Sequence, residues 1–137
     1  MALYPRIFMR LIDGRAGGTA EVACLPSEVG VLFSALTNSV RINRACAIKL
    51  MTRHKFTYYD LNYIQYAIDE GYILRGRKPE FLEFFFIDTR GPYRHYLLVL
   101  KVARYGQEVW VQTFHRSDEH ILRAKLKRSA KVLRLHQ

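Results

Sequence analysis

The apolar positions change period near residue 71. Before it, Leu61, Ile64, Gln65 and Ile68 recur at the spacing of one helical face. Thr57 stands ahead of them as an N-cap, with Asp60 three residues on as a short capping box. Gly71 closes this helix as its C′ residue. After it the runs are strand-like: Tyr72-Ile73-Leu74, Phe81 to Ile87, Tyr93 to Ala103 and Glu108 to His115. Gly-bearing turns at 75–79, 89–92 and 104–107 separate them, so the long runs predict an antiparallel meander. Upstream, residues 6–12 are short and apolar-rich, residues 13–18 hold Gly14, Gly17 and Gly18, and residues 19–24 form another short run. This reads as strand, glycine turn, strand. Pro26-Ser27, with Glu28 in the first turn, opens a helix running through Val31, Leu32, Ala35 and Leu36 to Thr37-Asn38. Residues 40–42 read as a short strand. Asn43 caps a helix over 44–53 whose stripe is Ala47, Ile48, Leu50 and Met51, and Arg53-His54-Lys55 complement its dipole at the end.

At the far end Ser117 caps a last helix, with Asp118 and Glu119 in its first turn. Leu122, Leu126, Ala130 and Leu133 form its apolar stripe. Arg123, Lys127, Lys131 and Arg134 form the adjoining one, giving a basic amphipathic helix of about five turns. The order of elements predicts an α+β fold: N-terminal helices packed on one face of a small antiparallel β-meander, with a basic amphipathic C-terminal helix. Residues 1–38 read as an N-terminal extension with a β-hairpin and a helix. Residues 39–137 read as the main α+β domain, the two forming one globular unit.

Half of the 137 residues are hydrophobic, enough to fill a core, which excludes wholesale disorder. The net charge is +10, and it is uneven. Residues 56–119 carry eight basic and nine acidic side chains, whereas residues 120–137 carry six basic and none acidic. A near-neutral middle between basic ends points to a polyanionic partner. No run of 18 apolar residues exists, so a membrane-spanning helix is not expected. Arg6, Arg10 and Asp13 interrupt the apolar stretch that a signal peptide needs, and Cys24 and Cys46 read as reduced thiols. A cytoplasmic location, in a bacterial cell or a phage-infected host, is expected. Two cysteines make neither a disulfide framework nor a zinc site of the usual spacing. The glycine segment lacks the Lys-Ser/Thr of a phosphate loop and the G-x-G-x-x-G fingerprint, so it reads as a flexible turn.

Strand alternation supplies a candidate site. In the 93–103 strand, Leu98, Leu100 and Val102 share one face and Leu97, Val99 and Lys101 the other. In the last strand, Trp110, Gln112 and Phe114 share a face, opposite Val109, Val111, Thr113 and His115. If the aromatic face meets the helices, Lys101, Thr113 and His115 lie together on the open face. RNA carries its own nucleophile, the 2′-OH. Cleavage needs a group to deprotonate it, charge to stabilise the phosphorane and an acid for the 5′-oxygen. A His suits either proton transfer, Lys and Arg suit the charge, and Thr can donate to a phosphate oxygen. No metal or other cofactor is required. Each residue also has a plain structural reading: Lys101 as a solvated strand cation, Thr113 as a good strand residue, His115 as a polar strand end, His54 as a helix-terminal cation.

Residues 53–61 (Arg-His-Lys-Phe-Thr-Tyr-Tyr-Asp-Leu), with Ile64, Ala67-Ile68 and Gly71-Tyr72-Ile73, form one motif. Residues 96–101 and 108–116, ending in Lys101 and in Thr113-Phe114-His115-Arg116, form another. From about Val40 to Arg116 the chain resembles the phage-associated branch of the barnase/EndoU/colicin/RelE-like RNase superfamily. Residues 1–38 and 120–137 fall outside the resemblance, and the Pro that usually follows the family's His is absent. The resemblance implies a metal-independent RNase that leaves a 2′,3′-cyclic phosphate, and it makes His54 a candidate acid/base, with Arg116 and Tyr96 as further candidates. On this reading His54 or His115 serves as base and acid. Lys101, Arg104 and Arg116 stabilise the phosphate, Thr113 orients it, and Tyr96 or Tyr105 stacks on bases. Arg53, Lys55, Arg123, Lys127 and Lys131 complete the RNA-binding set. The partner would be RNA (tRNA, rRNA or mRNA), with an acidic antitoxin or immunity protein, or a host target protein, as a second partner. The competing reading is a phage or bacterial module on the same fold that binds nucleic acid or inhibits a host protein without catalysis. A membrane partner is not expected, because the stripe of the last helix lacks the Trp and Phe of an interfacial anchor.

Overall fold

The computed structural model describes residues 5–14, 17–89, 94–127 and 132–134. The turn residues Arg90, Gly91 and Pro92, the strand start Tyr93, and Ala130 and Lys131 lie outside these. The chain is α+β, built on one seven-stranded sheet of order β1-β2-β6-β5-β4-β3-β7. The strands are β1 (Thr19–Cys24), β2 (Ser39–Asn43), β3 (Tyr72–Arg75), β4 (Phe81–Asp88), β5 (Arg94–Ala103), β6 (Glu108–Ser117) and β7 (Val132–Arg134). The run β3–β4–β5–β6 is the expected antiparallel meander. The sheet as a whole is mixed, however, because β2 joins β6 in parallel through Val40–Val109 and Arg41–Trp110.

Residues 6–12 are a helix, not a strand: α1 spans Pro5–Ile12. Phe8 and Leu11, three apart, are buried, while Met9 and Arg10 are exposed, which is a helical period. Gly14, at φ 76°, ends the turn after it, its N–H donating to the Leu11 carbonyl. The hairpin expected inside residues 1–38 is therefore absent, and β1 pairs with β2 instead. The helix expected over residues 27–38 is a single α turn, α2 (Ser27–Gly30), continued by a 3₁₀ turn (Val31–Phe33). Ser34 stops it at φ 60°, a left-handed conformation that no helix continues through.

The caps expected at Asn43 and Thr57 form, but Ser117 does not cap the last helix: it ends β6, and Asp118 Oδ1 accepts the Ile121 N–H instead. Asn43 accepts a hydrogen bond from the Cys46 N–H at the start of α3 (Arg44–Thr52). The 57–71 helix comes in two pieces, α4 (Tyr58–Leu61) and α5 (Tyr63–Glu70), broken at Asn62. The five-turn C-terminal helix is shorter than expected. It spans Glu119–Lys127 (α6), and residues 132–134 extend the sheet as β7 beside β3.

Helices lie on both faces. On the first face, α1, α3 and α5 bury Phe8, Leu11, Leu50, Ile64 and Ile68 against Val40, Ile42, Phe84, Leu98, Leu100, Val109 and Phe114. On the second, Leu122 of α6 covers Leu74, Phe85 and Leu97, and Lys125 pairs with Glu83. Among the described residues no helix is long and apolar enough to cross a membrane.

At the β5–β6 turn, Arg104 and Tyr105 both take positive φ (51° and 56°), the type I′ geometry that matches strand twist. Gly106 follows at φ 91°, and a Cβ there would stand 2.4 Å from the Ser34 carbonyl oxygen. Gly106→Ala is expected to cost about 1–3 kcal/mol, from strain and that clash together. A urea midpoint unchanged from the parent protein would show that the turn relaxes freely.

Candidate active site

The site begins where α3 ends. The His54 N–H bonds the Lys49 carbonyl, and Lys55 then turns left-handed at φ 52°. That reversal sends Phe56 into the core at 2% exposure while leaving the His54 ring half-buried at the surface. Phe56 packs 4.9 Å from Phe114 of β6, and the Arg116 guanidinium carbon lies 4.8 Å over its ring. The joint is thereby pressed against β6 beyond the point where β2 stops pairing with it.

Asp60 anchors this contact. It is 1% exposed, and donors from Thr57, Tyr96 and Arg116 converge on its carboxylate. The Thr57 N–H (2.9 Å) and hydroxyl (3.0 Å) and Arg116 Nη2 (2.9 Å) reach Oδ2, while the Tyr96 hydroxyl reaches Oδ1 at 3.0 Å. Burial alone would raise its pKa. The bonds from Thr57 and Tyr96, with the Arg116 charge, outweigh burial and hold the carboxyl below its ordinary value. The expected capping box is present, since the Asp60 N–H also reaches Thr57 Oγ1. Sequence reasoning gave Asp60 only this capping role. Its ion pair with Arg116, 56 residues away, has no local signal.

Arg116 Nη1 bonds the His54 carbonyl at 3.2 Å. His115, the preceding residue, sets its ring 5.8 Å from that of His54, with 30° between the planes. His115 Nδ1–H donates to the Arg116 carbonyl at 2.8 Å, so Nε2 is the nitrogen left for proton exchange. The His54 pKa is lowered by burial first, then by His115, Lys49, Arg53 and Arg116. All these influences favour its neutral form.

The structure brings together His54, His115 and Arg116, with Arg53 and Lys55 exposed on the joint beside them. Thr113 is half-buried, two residues from His115 on the same face and opposite Val99. Lys101 shares that face but is not in the cluster. It pairs with Trp110, whereas His115 pairs with Leu97, four residues along β5, a separation of roughly 13 Å. Tyr96 is fully buried, its ring stacked 4.5 Å from Tyr63, and it has no exposed face for a base. Arg104 is exposed and paired with Glu108 at the hairpin turn. On α6, Arg123 pairs with Glu119 and Lys127 is exposed.

The expected grouping of Trp110 with Phe114 is corrected. A bulge at Gln112 shifts the register between Val99 and Leu100. Val109 and Val111 therefore join Phe114 in the core, and Trp110 moves to the second face opposite Lys101. Among the described residues no three His, Cys, Asp or Glu side chains converge as a metal site. No family model, curated protein or solved structure matches this chain.

Proposed function

We propose that this protein is a metal-independent endoribonuclease that cleaves RNA by 2′-OH transesterification at the His54–His115 pair. The observation that carries this reading is the pair itself: two imidazoles from distant parts of the chain, 5.8 Å apart and beside a guanidinium. His54, held toward its neutral form, takes the proton of the 2′-OH as that oxygen attacks phosphorus. The P–O5′ bond breaks, and protonated His115 gives its Nε2 proton to the leaving oxygen. The products are a 2′,3′-cyclic phosphate and a free 5′-hydroxyl. Arg116, Arg53 and Lys55 offset the charge that builds on the phosphorane. A strongly basic RNase acting in the cytoplasm would be restrained by an acidic inhibitor protein, the partner that its charge of +10 best suits.

One observation favours a non-catalytic reading. Arg116 directs Nη1 and Nη2 to His54 and Asp60, which is what a latch between the joint and β6 needs. Incubation of the pure protein with total RNA in EDTA, followed by end-group analysis, separates the two. Fragments ending in 2′,3′-cyclic phosphate are expected. Intact RNA, with salt-sensitive binding retained, overturns the enzyme in favour of a binding module.

A further inference from the structure

The second face of the sheet carries a line of residues that the cleavage site does not use. Phe81 pairs with Lys101, Lys101 with Trp110, and Trp110 with Arg41. Side chains of paired residues leave a sheet on the same side, so these four form one row across β4, β5, β6 and β2. Their strand neighbours Leu82, Leu100, Val109, Val40 and Ile42 are buried on the opposite face. All four row residues are half-buried. The α6 helix covers Leu74, Phe85 and Leu97 farther along the strands.

The row alternates cation, aromatic, cation, aromatic. Strand spacing makes it about 14 Å long. The two rings stand about 10 Å apart with an ammonium between them. The Trp110 indole N–H is fixed by Glu108 Oε1 at 3.0 Å, and Arg41 Nη2 by Thr19 Oγ1 at 2.7 Å. Glu21 lies opposite Arg41 in the β1–β2 register, and Glu108 also forms an ion pair with Arg104. Carboxylates thus lie at the β1 end and beside Trp110, while Lys101 stands between the two rings. Large aromatic planes left on the outer face of a sheet, interleaved with cations, suit stacked bases and the phosphate that joins them.

We infer that the Arg41–Trp110–Lys101–Phe81 row is a binding platform for single-stranded RNA. Bases stack on Trp110 and Phe81, and the phosphate between them lies on Lys101. Thr113 and His115 follow on the same face of β6, so a strand seated on the row runs toward the histidine pair. The inference rests on RNA being the substrate of that pair, and it gives Lys101 a binding role in place of a catalytic one.

Trp110 is the sole tryptophan, so its fluorescence reports on the row. The probe is a 2′-O-methyl oligoribonucleotide, which has no 2′-OH to attack. Saturable quenching that weakens with added salt is expected. Lys101→Ala and Phe81→Leu should each raise Kd roughly tenfold or more, the size of one stacked base or lost charge contact. Phe81→Leu, checked by thermal denaturation to be folded, should raise KM on long RNA and leave kcat in place. An unchanged Kd in both variants overturns the platform, whatever the cleavage assay shows. Binding lost in both variants of a protein that cleaves no RNA keeps the platform and removes the nuclease.

Discussion

His54→Ala should slow RNA cleavage by about 10²–10⁴-fold, the usual contribution of one general acid–base group. The fold should survive it, because Arg116 bonds the backbone carbonyl of His54 and not its ring. The pH profile identifies the role. A base must be unprotonated, so the rate should rise with pH through a value below the ordinary imidazole pKa of 6.5. Burial sets that depression first, and the neighbouring cations add to it. Lys49→Gln and Arg53→Gln should therefore move the rising limb back toward higher pH. Stability follows the same proton. Between the folded and unfolded pKa values the unfolded chain holds the extra proton, so stability rises with pH there. This contribution is complete above the unfolded value and is lost as pH falls toward the folded one. Single-turnover cleavage as rapid in His54→Ala as in the parent protein would remove His54 from the mechanism.

Asp60→Ala should be the most destabilising polar substitution at the site, at about 1–3 kcal/mol, because it removes the acceptor of the buried Tyr96 hydroxyl, while the 42% exposed Arg116 guanidinium can turn to water. For a chain of this size that lowers the melting temperature by about 3–15 °C. Asp60→Asn keeps the shape and some of the hydrogen bonds and should cost less. The carboxylate's contribution is fully present above the unfolded carboxyl pKa and is lost as pH falls through its lower folded value. Acid unfolding of the parent protein should therefore be steeper than that of Asp60→Asn. A melting temperature of Asp60→Ala within a degree of the parent's would show that the joint holds to β6 without this carboxylate.

The elements legible in the sequence were those with a local chemical signature. Asn43, Thr57 with Asp60, and Gly-bearing turns mark ends through contacts a few residues apart, and the structure contains the α3 cap, the capping box and the meander they predict. Short apolar runs were not legible in the same way. Residues 6–12 fit either period, and only the burial of Phe8 and Leu11 in the core, beside α3 and β1, selects a helix. The last helix continued on paper because its stripe continued, yet β3 offers residues 132–134 an open edge. The candidate site was legible in its histidines and in the shared face of Lys101, Thr113 and His115. Hidden, besides the Asp60–Arg116 ion pair, were the Gln112 bulge, which re-aims Trp110, and the distance along β5 that separates Lys101 from His115. The bulge and that distance are set by register between strands, which no single segment encodes.

The parallel joint between β2 and β6 also sets when this protein can fold. Val40 and Val109 are about 70 positions apart, and among the described residues β1 joins the sheet through β2. Closing so long a loop must precede any reward from the contact, which places the chain among slower-folding topologies. On a ribosome, α1, β1, β2 and α3 emerge before β6, and β2 has no meander strand to join until β6 follows. Until then Val40 lacks its β6 neighbour Val109, and α1 and α3 alone cover the apolar face of β2. The same delay governs His54, which meets His115 only once the last strand of the meander has left the exit tunnel.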